Sequence, residues 1–577
     1  MHRTSQPSSR FPFSKVSAAC SALLLSALLS PSRLVAQEDK PLTRSLAEEQ
    51  LVELEAAYRA SPGDDENRRA YAKILYTLGN MWEANDVMAP LAATVTSIAD
   101  DVLLGARLAY LVGAYDRAEI LYERLRTLST PDSEMQVQAS EGLLLVHYQT
   151  NRYDLARGIE LPGSDATGRR SLLAFMKKFE GEPHQVEWMS SERVTRLPMI
   201  NDYTEPGALP LFRLKVNGHE VEFILDTGGD RLYIDEEVAA QVGIRKIHER
   251  RSRYAYTGGE EVGEPLGVAD SVTMGNVRLT NVPVIVAKWK ALGLTSDGVI
   301  TTQVLKQFLS TVDYDVGELV LRERAGPERQ EFLASLGGNP VRMPFWMSAT
   351  HLMYTKGSVN GRSGFNVFMD SGLASSMPLV ILDETVEELG ISETKVEIEG
   401  ADYYWVPIET HGIGSLTRGA TQALGNVFVE EDAYKSGGFF RDVLVSHQYL
   451  RHFGSWTIDF ETMSYYFPED SRERAVSSIT SPDTGVGDDE DFRRGTPEDY
   501  VGSYEVAPGV SLEVTVEVGE VFLQAPGQQR VGMQQVGEDA FSIPLANAQV
   551  SFERGDAEQV TALVIEQAGT QTRGLKR

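Results

Sequence analysis

The sequence predicts a multidomain α+β protein with an N-terminal α-helical repeat solenoid, a central all-β region of two lobes and a small C-terminal β-domain. Three observations predict this fold class. Apolar residues recur at the helical period up to about residue 185, and the period changes to 2 from about residue 205. An apolar run leading into Asp-hydroxyl-Gly then occurs once in each half of the β-rich stretch. At 577 residues, the chain is long enough for about three or four domains.

The first 36 residues are typical of a signal peptide. Basic residues precede an apolar run from Val16 to Leu29, and a plausible cleavage site follows Ala36. This pattern predicts an exported protein, periplasmic or extracellular, with no stable membrane insertion once residues 1–36 are removed. The single cysteine, Cys20, lies within that segment, so the mature protein is expected to have no disulfide and no thiolate chemistry.

The charge of the chain excludes one class of partner. The formal net charge is −29, and the predicted signal segment contributes basic residues and no acidic ones. A surface with this much negative charge repels phosphate backbones and anionic lipid. Nucleic acid is therefore not an expected partner.

Residues 37–190 are predicted to form helix pairs. The clearest repeat runs from Gly113 to Tyr122, with the pattern Gly-x-Tyr-Asp-x-x-Ala-x-x-x-Tyr, and weaker copies begin near Leu78 and Asn151. The pattern resembles the second half of a tetratricopeptide repeat, in which glycine turns between helices. Two interpretations stay open: a solenoid that holds a protein partner or substrate peptide, or a structural cap packed on the next domain.

Two consecutive β-rich segments, residues 205–326 and 345–468, repeat each other in order. Each contains an Asn-Gly turn, an apolar strand ending in Asp, a Gly-Asn-Val segment and a late apolar strand, at nearly equal spacing. The matched positions are Asn217-Gly218 and Asn360-Gly361, Asp226 and Asp370, Gly275-Asn276-Val277 and Gly425-Asn426-Val427, and Asp297 and Asp442. Four landmarks at matched spacing indicate an internal duplication.

The paired halves resemble aspartic proteases, with two lobes on one chain as in pepsin and local similarity to the retropepsin-type domains. The resemblance covers residues 205–468 and implies a central all-β double-lobed aspartic-protease fold. It further implies that Asp226 and Asp370 are catalytic. The supporting active-site loop residues that it implies are Thr227, Gly228, Ser371 and Gly372.

Two carboxylates suit peptide hydrolysis without a metal or cofactor. One group must deprotonate water and another must protonate the carbonyl oxygen, and neighbouring carboxyls do both because they do not ionise together easily. We therefore expect Asp226 and Asp370 to hold the attacking water, with an extended peptide or protein as substrate. Thr227 and Ser371 suit hydroxyls that reach the opposite loop, and Gly228 and Gly372 allow backbone amides to approach the carboxylates.

A substrate-covering flap is predicted some 30 residues beyond each aspartate. Aromatic residues that lead into a glycine tip suit a mobile hairpin. In the first lobe the candidates are Tyr254, Tyr256, Thr257, Gly258 and Gly259, and the second-lobe candidate is Tyr404.

Thr301 and Ser446 stand where the family usually has glycine, in the strand that supports each Asp loop. This departure keeps a second hypothesis open, a binding protein that holds peptides in a protease-like cleft without cutting them. A third hypothesis is an enzyme that cleaves its own N-terminal domain or linker. The sequence contains no zinc-protease, phosphate-loop or serine-hydrolase motif, so no metal and no cofactor are expected.

The C-terminal part is predicted to be a flexible acidic linker, residues 469–497, followed by a small β-domain, residues 498–577. The linker contains a third match, Asp483-Thr484-Gly485, but without a preceding apolar strand. We interpret this match as a surface turn. No residue of the β-domain indicates chemistry.

Overall fold

The computed structural model divides into two compact units, Met1–Thr480 and Ser481–Arg577. The structure describes residues 42–94, 97–131, 133–161, 167–205, 208–253, 261–288, 290, 296–348, 350–373, 378–397, 403–425, 437–480, 496–507, 510–517, 520–525, 531–543, 548–555, 559–567 and 570–577. The predicted signal peptide lies outside the described residues. No helix in the described part of the chain is long and apolar enough to cross a membrane.

The first unit begins with a helical region in which each helix packs on the next. The helices are α1 (Arg44–Ala60), α2 (Asp65–Thr77), α3 (Met81–Ala93), α4 (Ala99–Leu111), α5 (Tyr115–Leu128), α6 (Glu134–Gln149), a 3-10 helix (Tyr153–Gly158) and α7 (Thr167–Lys178). Side chains of Thr43, Asp64 and Ser133 accept hydrogen bonds from the amides that begin α1, α2 and α6, which is why those helices start there.

The predicted repeat corners are places where the backbone turns sharply between helices. Gly79, Gly113 and Asn151 all have positive φ, at 78°, 77° and 58°. Glycine and asparagine tolerate this left-handed conformation, so the three positions end α2, α4 and α6. The region is helical as predicted, and its assignment to tetratricopeptide repeats stays a prediction.

The first β sheet contains eight strands and begins earlier than the sequence predicted. Its strands are β1 (Gln185–Trp188), β3 (Leu211–Val216), β4 (His219–Asp226), β5 (Leu232–Asp235), β6 (Arg245–Arg253), β7 (Glu261–Met274), β8 (Val277–Ala287) and β9 (Gly298–Thr301). Short helices α8 (Glu236–Gln241) and α9 (Thr302–Leu305) follow β5 and β9. Since β1 pairs with β8, the helical region ends before the predicted boundary at residue 190.

A six-stranded sheet combines strands that precede and follow each Asp segment. It consists of β2 (Val194–Pro198), β10 (Leu309–Asp313), β11 (Glu318–Arg322), β12 (Val341–Pro344), β23 (Ser455–Asp459) and β24 (Ser464–Phe467), with α10 (Pro327–Ser335) between β11 and β12. Strand β10 pairs with β23, so the two β-rich segments are joined by backbone hydrogen bonds.

A further sheet of the first unit carries the second Asp segment. Its strands are β13 (Trp346–Ser348), β14 (Leu352–Val359), β15 (Arg362–Met369), β16 (Leu379–Ile381), β17 (Val396–Glu397), β18 (Tyr404–Ile408), β19 (His411–Ile413), β20 (Leu416–Arg418), β21 (Thr421–Gly425) and β22 (Val443–Val445). Short helices α11 (Asp383–Glu388) and α12 (His447–Leu450) and 3-10 turns at Ser392–Thr394 and Arg451–Phe453 complete it. We call this the second β sheet.

The predicted linker is wrong at its beginning. Residues Ser471–Thr480 form helix α13. Ser471 and Ala475 are buried, and the Ser471 hydroxyl donates to the Phe453 carbonyl at 3.2 Å. The segment is polar in sequence, and part of its contact is itself polar, since Arg474 pairs with Asp315 at 2.7 Å. Residues 481–495, including the third Asp-Thr-Gly match, lie outside the described residues.

The second unit is a closed antiparallel sheet of eight strands preceded by a 3-10 turn, Pro497–Tyr500. The strands are β25 (Gly502–Ala507), β26 (Val510–Glu517), β27 (Glu520–Gln524), β28 (Val531–Gly537), β29 (Ala540–Ile543), β30 (Ala548–Arg554), β31 (Val560–Gln567) and β32 (Thr570–Lys576). Its core contains Tyr500, whose hydroxyl donates to Asp539 at 2.8 Å. This unit is β-rich, as the alternating sequence predicted.

Candidate active site

The two Asp segments occupy matching places in their sheets. Strand β4 ends at Asp226 and runs parallel to β9, with Asp226 opposite Thr301. Strand β15 ends just before Asp370 and runs parallel to β22. Each of the two strands begins after an Asn-Gly turn in which both residues have positive φ, so both hairpins have the twist that places the aspartate at the strand end.

The structure brings Asp226 and Asp370 together. Their carboxyl groups share a hydrogen bond, and both side chains are buried. Asp226 Oδ1 accepts from the Gly228 amide at 2.6 Å, and Asp370 Oδ1 accepts from the Gly372 amide at 3.0 Å. Each carboxylate is therefore oriented by its own loop and faces the other.

The hydroxyls of Thr227 and Ser371 join the two loops reciprocally. The Thr227 amide donates to Ser371 Oγ at 3.0 Å, and the Ser371 amide donates to Thr227 Oγ1 at 3.0 Å. Thr227 Oγ1 also donates to the Met369 carbonyl at 2.8 Å. These buried bonds fix the distance between the two aspartates.

The glycines after each hydroxyl residue are required by space. A Cβ on Gly228 would lie 2.9 Å from Asp370 Oδ1 and 3.0 Å from Asp226 Oδ1. A Cβ on Gly372 would lie 1.9 Å from the Asp226 carboxyl carbon. A side chain at either position would therefore collide with a carboxyl group of the pair.

Burial and mutual repulsion favour one proton on the pair. Burial raises the pKa of Asp370 to about 6, although the Gly372 amide opposes this shift. Burial is the larger cause and repulsion from Asp370 the next largest, and together they raise the pKa of Asp226 well above its ordinary value. Because two buried carboxylates do not ionise together easily, the arrangement can supply one acid and one base at the same time.

The Asp226 loop is supported by residues at the end of β9. Thr301 is fully buried, and its hydroxyl donates to the Asp230 carbonyl at 3.2 Å. The Thr302 hydroxyl donates to the Thr227 carbonyl at 2.6 Å. Ser446, the counterpart of Thr301, is also buried. The β-carbons at both positions are therefore accommodated without separating the aspartates.

The predicted flap residues divide into two groups. Tyr254, Tyr256, Thr257, Gly258 and Gly259 lie outside the described residues. Tyr404 lies on β18 within the core of the second β sheet, with 4% of its surface exposed, and its hydroxyl donates to Asp383. These contacts give Tyr404 a structural role, and a role in substrate binding stays a prediction.

Asp230 is a residue of the site that sequence reasoning missed. It lies four residues after Asp226 and is fully buried beside Arg231, in the same loop. An adjacent acidic and basic pair in the short loop between two apolar strands was the available signal. The structure shows no group of three or more His, Cys, Asp or Glu residues placed to hold a metal among the residues it describes.

Comparison with known families matches the first β sheet. Residues 212–304 match the family model described as aspartyl protease. This segment contains Asp226, Thr227 and Gly228, as well as Thr301. The N-terminal helical region followed by β-rich sheets is consistent with a protein that carries an aspartic protease fold.

Solved structures with similarity to the chain include a retropepsin-like aspartic protease from Rickettsia conorii. It is 17% identical, covers 25% of this chain and 96% of its own, and has a TM-score of 0.17. Conglutin gamma, a basic 7S globulin from lupine seeds, is 10% identical, covers 50% and 98%, and has a TM-score of 0.32. Basic 7S globulin from soybean is 10% identical, covers 50% and 96%, and has a TM-score of 0.29. Curated proteins give no match.

Proposed function

We propose that the protein is an aspartic-type endopeptidase whose two catalytic carboxylates come from two lobes of one chain. The observation that carries this proposal is the hydrogen-bonded, buried pair of Asp226 and Asp370, held by the reciprocal bonds of Thr227 and Ser371. The family-model match over residues 212–304 supports the same class of chemistry.

The mechanism follows from the shared proton. The ionised carboxylate deprotonates a water held between the two aspartates, and the water attacks the peptide carbonyl. The protonated carboxyl donates its proton to the carbonyl oxygen, and a later proton transfer to the nitrogen releases the amine. The substrate is an extended peptide lying between the lobes.

Export and partner binding are also proposed. The sequence of residues 1–36 supports a periplasmic or extracellular location after signal removal. The helical region provides a possible surface for a protein partner. Nucleic acid is not expected, given a formal net charge of −29.

The test uses the chain without residues 1–36 and a peptide library, with cleavage products identified by mass spectrometry. Asp226→Asn and Asp370→Asn should each lower the rate about a thousandfold, because either change removes the acid or the base. Asp483→Asn is the matched control, since it alters the third Asp-Thr-Gly and should cleave normally.

The same assay across pH 4 to 9 tests the pair directly. As the pH falls through about 6, both carboxyls become protonated and the base is lost, so the rate should fall. Undiminished cleavage by either aspartate variant would contradict the shared pair. A wild-type protein that binds library peptides without cutting them would favour the peptide-binding alternative, and cleavage confined to the protein's own chain would favour self-processing.

A further inference from the structure

One carboxylate connects three parts of the first unit next to the Asp226 loop. Asp230 Oδ1 accepts from the Tyr148 hydroxyl of α6 at 2.7 Å and from the Thr350 hydroxyl at 2.9 Å. Tyr148 belongs to the helical region, and Thr350 lies between β13 and β14. The loop that carries Asp226 is thus bonded to both neighbouring regions through a single side chain.

The Asp230 side chain is ionised at neutral pH although it is buried. Burial by itself would raise its pKa, but Arg231, His351 and the hydroxyls of Tyr148 and Thr350 bring the pKa below its ordinary value. A buried carboxylate depends on its donors, because a lost hydrogen bond is not replaced by water. Removing the Tyr148 hydroxyl would therefore leave Asp230 with one donor fewer and weaken the attachment of the loop to α6.

Tyr148 is held in place independently of that hydrogen bond. Its ring stacks on Tyr153, with centroids 5.6 Å apart and planes 19° apart. The Arg231 guanidinium lies over the Tyr148 ring, 5.2 Å from its centroid. Because the ring is fixed by packing, its hydroxyl is a fixed donor rather than a mobile one.

The backbone of the same loop is held by hydrogen bonds from β9 and α9. The Asp230 carbonyl accepts from Thr301, and the Thr227 carbonyl accepts from Thr302. Residues 227–230 are therefore bonded to the sheet through the backbone and to α6 through the Asp230 side chain. A shift of Asp230 would move the backbone that orients Asp226.

The helical region contacts the second β sheet at one repeat corner and the segment after α9 at another. A Cβ on Gly79 would lie 2.3 Å from Asn366 Oδ1 on β15, so this corner is in close contact with the second β sheet. Asn151 Nδ2 donates to Gln307 Oε1 at 3.0 Å, directly after α9. Lys306 Nζ donates to the Gln149 carbonyl at 2.6 Å. These bonds hold the last turn of α6, which carries Tyr148, against the residues that follow α9.

We propose that Tyr148 is a positioning residue for Asp226, acting through Asp230, and that the helical region is an integral part of the active-site scaffold. This inference rests on the proposed function for its catalytic consequence. It gives the helical region a role at the active site whether or not it also binds a partner.

The test is Tyr148→Phe, which removes the hydroxyl and keeps the ring packing. We expect kcat to fall roughly tenfold to a hundredfold, because small displacements of a catalytic group are costly. KM should stay within about twofold, since no substrate contact is removed. The control is Tyr71→Phe, because the Tyr71 side chain is also buried and its hydroxyl donates to the exposed Glu83 at 2.5 Å, wholly within the helical region.

A second measurement does not require activity. Hydrogen exchange followed by mass spectrometry should show faster exchange in a peptide covering residues 226–231 in Tyr148→Phe and wild-type exchange in Tyr71→Phe. Wild-type exchange in this peptide would overturn the inference, as would faster exchange with an unchanged kcat. If the wild-type protein cleaves nothing, the proposed function fails, and exchange alone decides whether Tyr148 fixes the loop.

Discussion

Asp297 and Asp442 occupy the same place in the internal duplication and are held in different ways. Asp297 Oδ2 accepts from the Glu222 amide at 2.9 Å, and Asp442 Oδ2 accepts from the Asn366 amide at 2.7 Å. In each sheet, a carboxylate thus holds the strand that leads to Asp226 or Asp370. The local backbone role is the same in both halves.

The cations that neutralise these two carboxylates differ. Lys290 pairs with Asp297 at 2.7 Å, and the two side chains are 39% and 23% exposed. Arg44, at the start of α1, pairs with Asp442 through both carboxylate oxygens, and both side chains are 4% exposed. The cation paired with Asp297 comes from the same half, whereas the cation that bonds Asp442 directly comes from the helical region, with Lys356 of β14 adding a weaker attraction. This difference shows that the helical region completes the second β sheet.

Arg44→Ala should have the largest effect on stability. It leaves Asp442 buried without its paired cation, and breaking such a pair lowers the free energy of unfolding by about 3 to 5 kcal/mol. Urea unfolding followed by tryptophan fluorescence measures this, because all six tryptophans precede residue 480 and report on the first unit. Arg44→Lys should recover only part of the loss, since lysine cannot bond both oxygens in the same geometry. A fully stable Arg44→Ala variant would remove the distinction between the two halves.

Asp370→Asn should raise stability while it lowers the cleavage rate about a thousandfold. The pKa of Asp370 is raised from 3.8 to about 6 by burial, so the folded state binds its proton more tightly than the unfolded state. The stability contributed by this protonation is present at low pH and is lost as the pH rises from about 4 to 6. At pH 7 the asparagine avoids that cost, and the free energy of unfolding should increase by about 2 to 3 kcal/mol.

The pH dependence supplies the control for this change. Below pH 4 the carboxyl is protonated in both states, so the advantage of Asp370→Asn should disappear. The same urea titrations at pH 3 and pH 7 make the measurement. Equal stability of wild type and variant at pH 7 would show that the second carboxylate is not buried against the first.

Lys290→Ala should have the smallest effect. Its pair with Asp297 is partly exposed, and such pairs contribute about 0 to 1 kcal/mol. Added salt should reduce even this contribution, whereas Arg44→Ala should keep its effect. A loss as large as that of Arg44→Ala would mean that the two halves are equivalent after all.

Much of the candidate site was predictable because it is encoded locally. The sequence analysis found an Asn-Gly turn at the same place in each half, and the structure has positive φ at Asn217, Gly218, Asn360 and Gly361. The apolar runs before Asp226 and Asp370 identified the strands that lead to them. The linker prediction failed at α13 because composition does not show which small residues are buried.

The sequence by itself determined the helices and strands, the two Asp-hydroxyl-Gly segments and their matched surroundings. These features follow from periodicity, turn chemistry and repetition. Only the tertiary structure decided that Tyr148 bonds Asp230 and that Arg44 bonds Asp442, partners separated by 82 and 398 positions. Such pairs depend on how the helices dock on the sheets, and no local pattern specifies a partner that distant. The physical reason is that periodicity identifies which face is buried, whereas the docked structure determines what buries it.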